Sequence, residues 1–210
     1  LGKLDVFTKI LLFKVVLFTS CFIISGACLI WNIRWAFNNA RGPILLRSHD
    51  DVRRLLITIV VFLVSSGVVI SVAVLSIISA KNWETFILLL HRLPFGLTDP
   101  QFGLDATFYI VTLKALNFIQ GWLLALATIC ITVSLIVYIA IFSVRKVALV
   151  VTPKMLNHIV TISAFLMVVI ALNHLLDIYE LIISDRGLIF GATYTDIHVR
   201  LPLYIFLSSL

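Results

Sequence analysis

The chain has 210 residues, of which 61% are hydrophobic and 12% are charged, and its formal net charge is +6. A soluble domain carries about 25% charged residues, so this composition excludes an ordinary water-soluble globular domain. The basic excess comes without aromatic interleaving or a recognisable nucleic-acid module, so we expect no nucleic-acid partner. The 3 cysteines lie in apolar segments, and their odd number argues against a disulfide framework.

Four long segments lack any charged side chain: residues 15–33, 55–80, 115–144 and 155–176. About twenty apolar residues in a helix cross the roughly 30 Å hydrocarbon core of a bilayer. The sequence therefore predicts an all-α integral membrane protein, a polytopic bundle of transmembrane helices with the lipid bilayer as its first partner. Residues 1–210 form one transmembrane domain, with spans over about 11–35, 55–80, 108–144 and 155–177 and another beginning at 201.

The ends of the spans carry interface and capping signals. Trp31 and Trp35 flank Arg34 at the end of the first span, the aromatic and basic anchors typical of a membrane–water boundary. Ser48 to Asp51 has capping-box spacing and is expected to begin the second span.

Small residues recur along two of the spans. The second span has Gly67 with Ser71 and Ser76 with Ala80, and the third has the stripe Gly121, Ala125, Thr128 and Thr132. Small residues at helical spacing allow helices to approach closely in lipid. We expect close packing at these positions; the alternative is a polar permeation path.

Basic residues gather in two loops. Loops 34–54 and 145–154 together hold eight basic and two acidic residues, and the rest of the chain holds eight of each. The positive-inside rule places these loops in the cytoplasm, and loops 81–105 and 177–200 outside it. The basic face also suits anionic lipid headgroups.

The outward segment after the second span begins with a short apolar helix. Trp83 to His91 is too short to cross a bilayer and is expected at the membrane surface. Asp99 followed by Pro100 predicts a helix start, and Asp105 is expected to cap the third span.

A polar cluster on the predicted outer face is the candidate site: Asp99, Asp105, Tyr194, Asp196, His198 and Arg200. If residues 194–200 form a strand, four of these side chains share one face and could bind a metal or a headgroup. If they form a helix, Asp196 and Arg200 make an ion pair at i, i+4 and Thr195 caps its start.

No metal-ligand spacing or hydrolase signature supports chemistry at that cluster. We therefore predict no catalytic residue, no cofactor and no metal site. His158 and His174 lie near the ends of the fourth span, and we interpret both as hydrogen-bonded interfacial histidines rather than as ligands or proton carriers.

Three segments carry a family resemblance: Trp83 to Phe86, the stretch Pro94 to Asp105, and Phe190 to His198 running into Leu201-Pro202. In this order and at these intervals they resemble the bacterial and cyanobacterial multi-pass membrane proteins grouped as uncharacterised protein family (UPF) 0182. The resemblance implies a membrane domain of about seven spans followed by a large extracytoplasmic domain. The chain would then be an internal piece of a longer protein in the bacterial plasma membrane, or in the thylakoid membrane of a cyanobacterium. The family brings no established activity to any residue.

These features favour a non-catalytic scaffold or assembly subunit whose outward loops meet other membrane subunits or the protein's own extracytoplasmic domain. The alternatives are a transporter or channel subunit for lipid or a small solute, and an outer-face enzyme acting on envelope material.

Overall fold

The computed structural model describes residues 3–40, 51–145, 151–183 and 193–209. Its elements in chain order are α1 (Lys3–Asn39), α2 (Asp51–Lys81), α3 (Trp83–Leu90), a π-helical turn (Phe108–Thr112), α4 (Leu113–Arg145), α5 (Pro153–Glu180), a 3-10 turn (Leu181–Ile183), a second π-helical turn (Asp196–Arg200) and α6 (Leu201–Ser209). Within these ranges the only β pairing is an isolated bridge between Thr98 and Asp105. The all-α prediction is confirmed.

Among the described residues, 4 helices are long and apolar enough to cross a membrane: Val6–Asn39, Thr58–Lys81, Phe108–Phe142 and Pro153–Glu180. Each coincides with one of the uncharged runs of the sequence. A helix keeps its backbone N–H and C=O groups bonded to each other, which is what a water-free hydrocarbon layer requires. The helix α6 begins at the position predicted for a further span. The predicted capping box at Ser48 lies outside the described residues.

The chain divides into two compact units. The first unit comprises residues 1–81 and 126–165, and the second comprises residues 82–125 and 166–210. The long helices α4 and α5 each contribute residues to both.

The first unit is built around an apolar core shared by four helices. Its buried members are Ala36, Ala40, Val137, Tyr138 and Met155, and side chains of α2 and α5 pack against them. At one end of this core, Asn39 Nδ2 donates a hydrogen bond to the Lys154 carbonyl at 3.2 Å. The last turn of α1 and the first turn of α5 therefore lie at the same end of the unit.

A seam of polar side chains joins α1 to α4 inside the first unit. The buried Asn32 side chain donates to the Cys130 carbonyl at 2.8 Å and accepts the Ser134 hydroxyl at 2.7 Å. One turn away, the Cys28 and Cys130 sulfurs are 3.9 Å apart. We call these four residues the polar seam. The seam follows from a four-residue spacing that both helices share.

His158 lies deeper in the unit than its sequence position suggests. It is fully buried, its Nδ1 is 2.7 Å from the Tyr138 hydroxyl, and its ring centroid is 4.4 Å from that of Trp35. Its Nε2 has no hydrogen-bond partner in the described part of the chain. The prediction of a hydrogen-bonded histidine is confirmed for one ring nitrogen only, and the residue belongs to the core.

The small-residue predictions have mixed outcomes. Ser76 and Ser79 of α2 are buried, each donating its hydroxyl back to its own helix. On α4, however, Gly121, Thr128 and Thr132 are exposed, so close packing along this stripe is wrong within the chain. The packed face of α4 carries Cys130 and Ser134 instead. Residues two apart lie about 200° apart around a helix, so the two sets occupy opposite faces.

In the second unit, two amide side chains of α4 bind α5. The Asn117 amide donates to the Glu180 carboxylate. The buried Gln120 donates Nε2–H to the Val169 carbonyl at 3.2 Å. Near the end of α5, His174 Nδ1 lies 3.2 Å from an Asp177 carboxylate oxygen, in agreement with its predicted hydrogen-bonded role.

The predicted short helix after the second span is present as α3. It ends at Leu90, one residue before the predicted end. Phe86 makes an edge-to-face contact with Phe118 of α4, with ring centroids 5.5 Å apart. Phe86 of α3 therefore packs on α4.

We expect Asn32→Ala to lower the free energy of unfolding in detergent by about 1–2 kcal/mol, because it removes two interhelical hydrogen bonds and leaves a cavity. Chemical denaturation followed by circular dichroism measures the change. Thr19→Ala is the matched control, since the exposed Thr19 hydroxyl bonds only its own helix, and it should change the value by less than about 0.5 kcal/mol. Equal effects of the two substitutions would contradict the seam.

Candidate functional site

Asp105 organises the loop between α3 and α4. Its Oδ1 accepts the backbone N–H of Thr107 at 2.8 Å and that of Phe95 at 3.1 Å, and its Oδ2 accepts that of Gly96 at 2.8 Å. Its own carbonyl accepts the N–H of Phe108 at 2.8 Å. The prediction that Asp105 caps the third span is confirmed, and the same carboxylate also holds the loop ten residues upstream.

Asp99 closes a turn within the same loop and does not begin a helix. Its Oδ2 accepts the N–H groups of Gln101 and Phe102 at 3.0 and 2.7 Å. The Gly103 N–H then donates to the Asp99 carbonyl at 2.8 Å, with Gly103 at φ 66°. The predicted helix start at Asp99 is wrong, because the left-handed conformation of Gly103 reverses the chain four residues later.

Thr107 is a structural residue of the loop that the sequence did not single out. Its hydroxyl donates to the Leu93 carbonyl at 2.8 Å and accepts the Phe95 N–H at 3.2 Å. The Ala106 N–H donates to the Leu97 carbonyl at 2.8 Å. The loop from Leu93 to Thr107 is therefore bonded across its base by side chain and backbone together. The available signal was the Asp-x-Thr spacing of Asp105 and Thr107, an Asx-turn pattern.

The hydrogen bonds determine the ionisation of Asp105. Bonding by Thr107, through its side chain and its backbone N–H, and by the N–H groups of Phe95 and Gly96 lowers the pKa of Asp105 to about 2. A general acid or base works best with a pKa near the operating pH. This carboxylate stays ionised and serves as a hydrogen-bond acceptor for the backbone.

Several large apolar side chains of the loop are exposed, while its backbone groups are hydrogen-bonded within the loop. Leu93, Phe95 and Leu97 are 79%, 63% and 71% exposed. We call these three residues the apolar platform. An exposed group of large apolar residues with no place in its own unit's core is typical of an interaction surface.

Aromatic contacts fix the loop to the end of α5. The Tyr179 ring lies 5.3 Å from that of Phe102 and 5.3 Å from that of Phe108, in tilted and edge-to-face geometry. Arg92 adds a hydrogen bond to the Thr112 hydroxyl at 3.0 Å. The loop and the last turn of α5 therefore occupy the same end of the second unit.

The other candidate segment, residues 194–200, is helical, so the extended-strand alternative is wrong. Asp196 Oδ2 accepts the Thr193 N–H at 2.9 Å, and the Thr193 hydroxyl accepts the Asp196 N–H at 3.3 Å. This reciprocal pair is a capping box. The cap is therefore Thr193, and the prediction of Thr195 is wrong because its side chain makes no cap hydrogen bond.

The predicted ion pair of this segment is confirmed. Arg200 donates to Asp196 Oδ1 at 2.7 Å, one helical turn away. Hydrogen bonding by the Thr193 backbone and side chain, together with the Arg200 charge, lowers the pKa of Asp196. Tyr194 and His198 stack with ring centroids 3.9 Å apart, and both are exposed.

The six predicted residues thus form two groups with separate sets of partners. Asp99 and Asp105 belong to the α3–α4 loop, and the other four belong to the segment that leads into α6. No group of three or more His, Cys, Asp or Glu in the described ranges could hold a metal ion. The geometry favours structural carboxylates over a shared reaction centre.

A cavity of about 290 Å³ opens in the first unit at the last turns of α1. Trp31, Arg34, Trp35 and Asn38 line it. Trp31, Arg34 and Trp35 are the aromatic and basic residues that the sequence predicted at the end of the first span. The surface that lines the cavity is mostly apolar.

By length and composition, the four long apolar helices among the described residues are those of a multi-pass helical membrane protein. The whole chain, residues 1–210, matches the model of the Uncharacterised protein family (UPF0182), and the chain belongs to that family.

Relatives in bacteria agree with this assignment. A UPF0182 protein of Rhodococcus erythropolis is 30% identical over 222 residues, which cover 100% of this chain and 22% of the relative. One of Saccharopolyspora erythraea is 32% identical over 146 residues, covering 67% of this chain and 15% of the relative. One of a Synechococcus strain is 32% identical over 132 residues, covering 62% and 16%. The chain spans less than a quarter of the length of these relatives, and no solved structure matches it.

We expect the Asp105 carboxyl to titrate near pH 2, well below its usual range near 3.9. Because the folded pKa is lowered, the stabilisation of the loop is complete above about pH 4 and is lost as the pH falls towards 2. Nuclear magnetic resonance of the labelled carboxyl carbon gives the midpoint. Thr107→Ala should raise that midpoint, and a wild-type midpoint above about 3.5 would contradict the hydrogen-bond assignment.

Thr193→Ala should destabilise the protein by about 1 kcal/mol, because it removes one half of the capping box. His198→Ala should change the stability by less than about 0.5 kcal/mol, because its ring is exposed. Thermal unfolding in detergent compares the two variants. A larger loss from His198→Ala would mean that the cap is not what orders this segment.

Proposed function

We propose that this chain is part of a non-catalytic integral membrane scaffold, and that the α3–α4 loop presents the apolar platform to another protein surface. That surface belongs to the extracytoplasmic part of the same protein or to a partner subunit. The observation that carries the proposal is the pairing of a rigidly bonded loop backbone with three large, exposed apolar side chains at its tip.

The preorganisation of the loop favours binding over chemistry. A loop that is ordered before it meets its partner loses little conformational entropy on association. Asp105 binds three backbone N–H groups and Asp99 binds two, so both are occupied as acceptors. A carboxylate that acts as a general acid or base needs an oxygen within reach of its substrate.

The proposed location is a bacterial membrane with the platform outside the cytoplasm. In the first unit, the contact from Asn39 to Lys154 brings together the ends of two loops that share the basic excess. In the second unit, the contact from Phe102 to Tyr179 brings together the ends of two loops without that excess. The positive-inside rule then supports a cytoplasmic location for loops 34–54 and 145–154 and an outward location for loops 81–105 and 177–200.

Site-specific photo-crosslinking in the full-length protein tests the platform. A benzophenone amino acid replaces Leu97 in living cells, and the products are identified by mass spectrometry. We expect adducts with protein, either within the long chain or with a second subunit. Val151 is the matched control position, because it is also exposed and apolar but lies in the predicted cytoplasmic loop. The control should give a different set of adducts.

Adducts with lipid alone at Leu97 would contradict the scaffold role and would indicate an element that dips into the bilayer surface. A second arm tests the consequence of binding. Replacing Leu93 and Phe95 together by Ser should abolish the protein adducts of the probe at position 97 without altering the circular dichroism spectrum. Retention of the same adducts would mean that the platform does not hold the partner.

A further inference from the structure

Two of the three free thiols of the chain are in contact. The sulfur of Cys28 on α1 lies 3.9 Å from the sulfur of Cys130 on α4. The hydrogen bonds of Asn32 to the Cys130 carbonyl and to the Ser134 hydroxyl hold the two helices together at this level. The polar seam therefore holds the two thiols next to each other in the folded protein.

The third thiol is excluded from this pair by geometry. Cys21 precedes Cys28 by seven residues on the same helix, which places it about 10 Å away along the axis. A disulfide requires sulfurs about 2 Å apart on closely approaching residues. The sulfurs of Cys28 and Cys130, 3.9 Å apart, are about 2 Å from that distance, whereas Cys21 lies about two helical turns away along α1.

The surroundings of the two thiols determine which oxidants can reach them. Cys130 is buried, whereas Cys28 is exposed on a segment long and apolar enough to cross a membrane. A thiol on such a surface faces hydrocarbon, so water-soluble disulfides reach it poorly. An electron acceptor that dissolves in the bilayer, such as a quinone, reaches it directly.

We propose that Cys28 and Cys130 are a redox modification site, oxidised by a lipid-soluble quinone to a disulfide that links α1 to α4. Two S–H bonds break and one S–S bond forms. The quinone accepts the two electrons and the two protons and leaves as the quinol, so the reaction balances without another reactant. Reduction by a dithiol restores the two free thiols.

The test uses membranes that contain the full-length protein, treated with decylubiquinone and then with an alkylating reagent in denaturant. Peptide mass spectrometry should find Cys28 joined to Cys130, with the loss of two hydrogen atoms, and dithiothreitol should reverse the link. Oxidised glutathione at the same concentration should give a several-fold smaller linked fraction.

Matched variants separate this pair from other thiol chemistry. Cys28→Ser and Cys130→Ser should each abolish the link within one chain, whereas Cys21→Ser should leave it unchanged. Alkylation of both Cys28 and Cys130 after quinone treatment would overturn the proposal. So would a link that includes Cys21, or an equal linked fraction with glutathione.

Discussion

The lack of water in a hydrocarbon layer is the constraint on which this structure depends. A backbone N–H or C=O group without a partner costs several kcal/mol there, so an apolar run of this length is stable only as a helix. The same constraint acts on side chains. Asn32 donates one hydrogen bond and accepts another across α1 and α4, and Gln120 donates to a carbonyl of α5. Lipid tails solvate apolar side chains as well as other helices do, so no hydrophobic driving force selects the partner of a helix. Such polar contacts therefore supply much of the specificity of helix pairing.

Outside the long helices, carboxylate side chains provide hydrogen-bond acceptors for backbone N–H groups. Asp105 and Asp99 accept N–H groups that the irregular loop leaves without helical partners, and Asp196 completes a capping box with Thr193. Each acid that the sequence offered as a reactive group is therefore an acceptor for its own segment. The side chains that the loop leaves unused are apolar, and this supports the proposed contact with another protein.

The sequence predicted the structural features that depend on residues close to one another along the chain. The four long helices, the short α3, the cap at Asp105 and the ion pair from Asp196 to Arg200 all follow from local spacing. The predicted helix start at Asp99 is wrong because Gly103 reverses the chain. Thr193 caps the segment instead of the predicted Thr195, and the Thr-x-x-Asp spacing of Thr193 and Asp196 is present in the sequence.

The sequence did not predict which face of a long helix packs against its neighbours, because that depends on the rotation of one helix relative to another. Nothing in a uniformly apolar run says which face of α4 turns inward. The stripe through Thr128 was therefore expected to pack, and the seam through Cys130 and Ser134 was not anticipated. A single polar residue such as Asn32 within a span is the best sequence signal for such a seam.

The central claim is a membrane-spanning bundle with loops 81–105 and 177–200 outside the cytoplasm. Thiol labelling of the full-length protein in intact cells tests it most directly. In a background with the native cysteines replaced by Ser, one protein carries Leu97→Cys and another Thr152→Cys. The account predicts that a membrane-impermeant maleimide labels position 97 in intact cells and position 152 only after permeabilisation. Labelling of position 152 and not of position 97 in intact cells would contradict it.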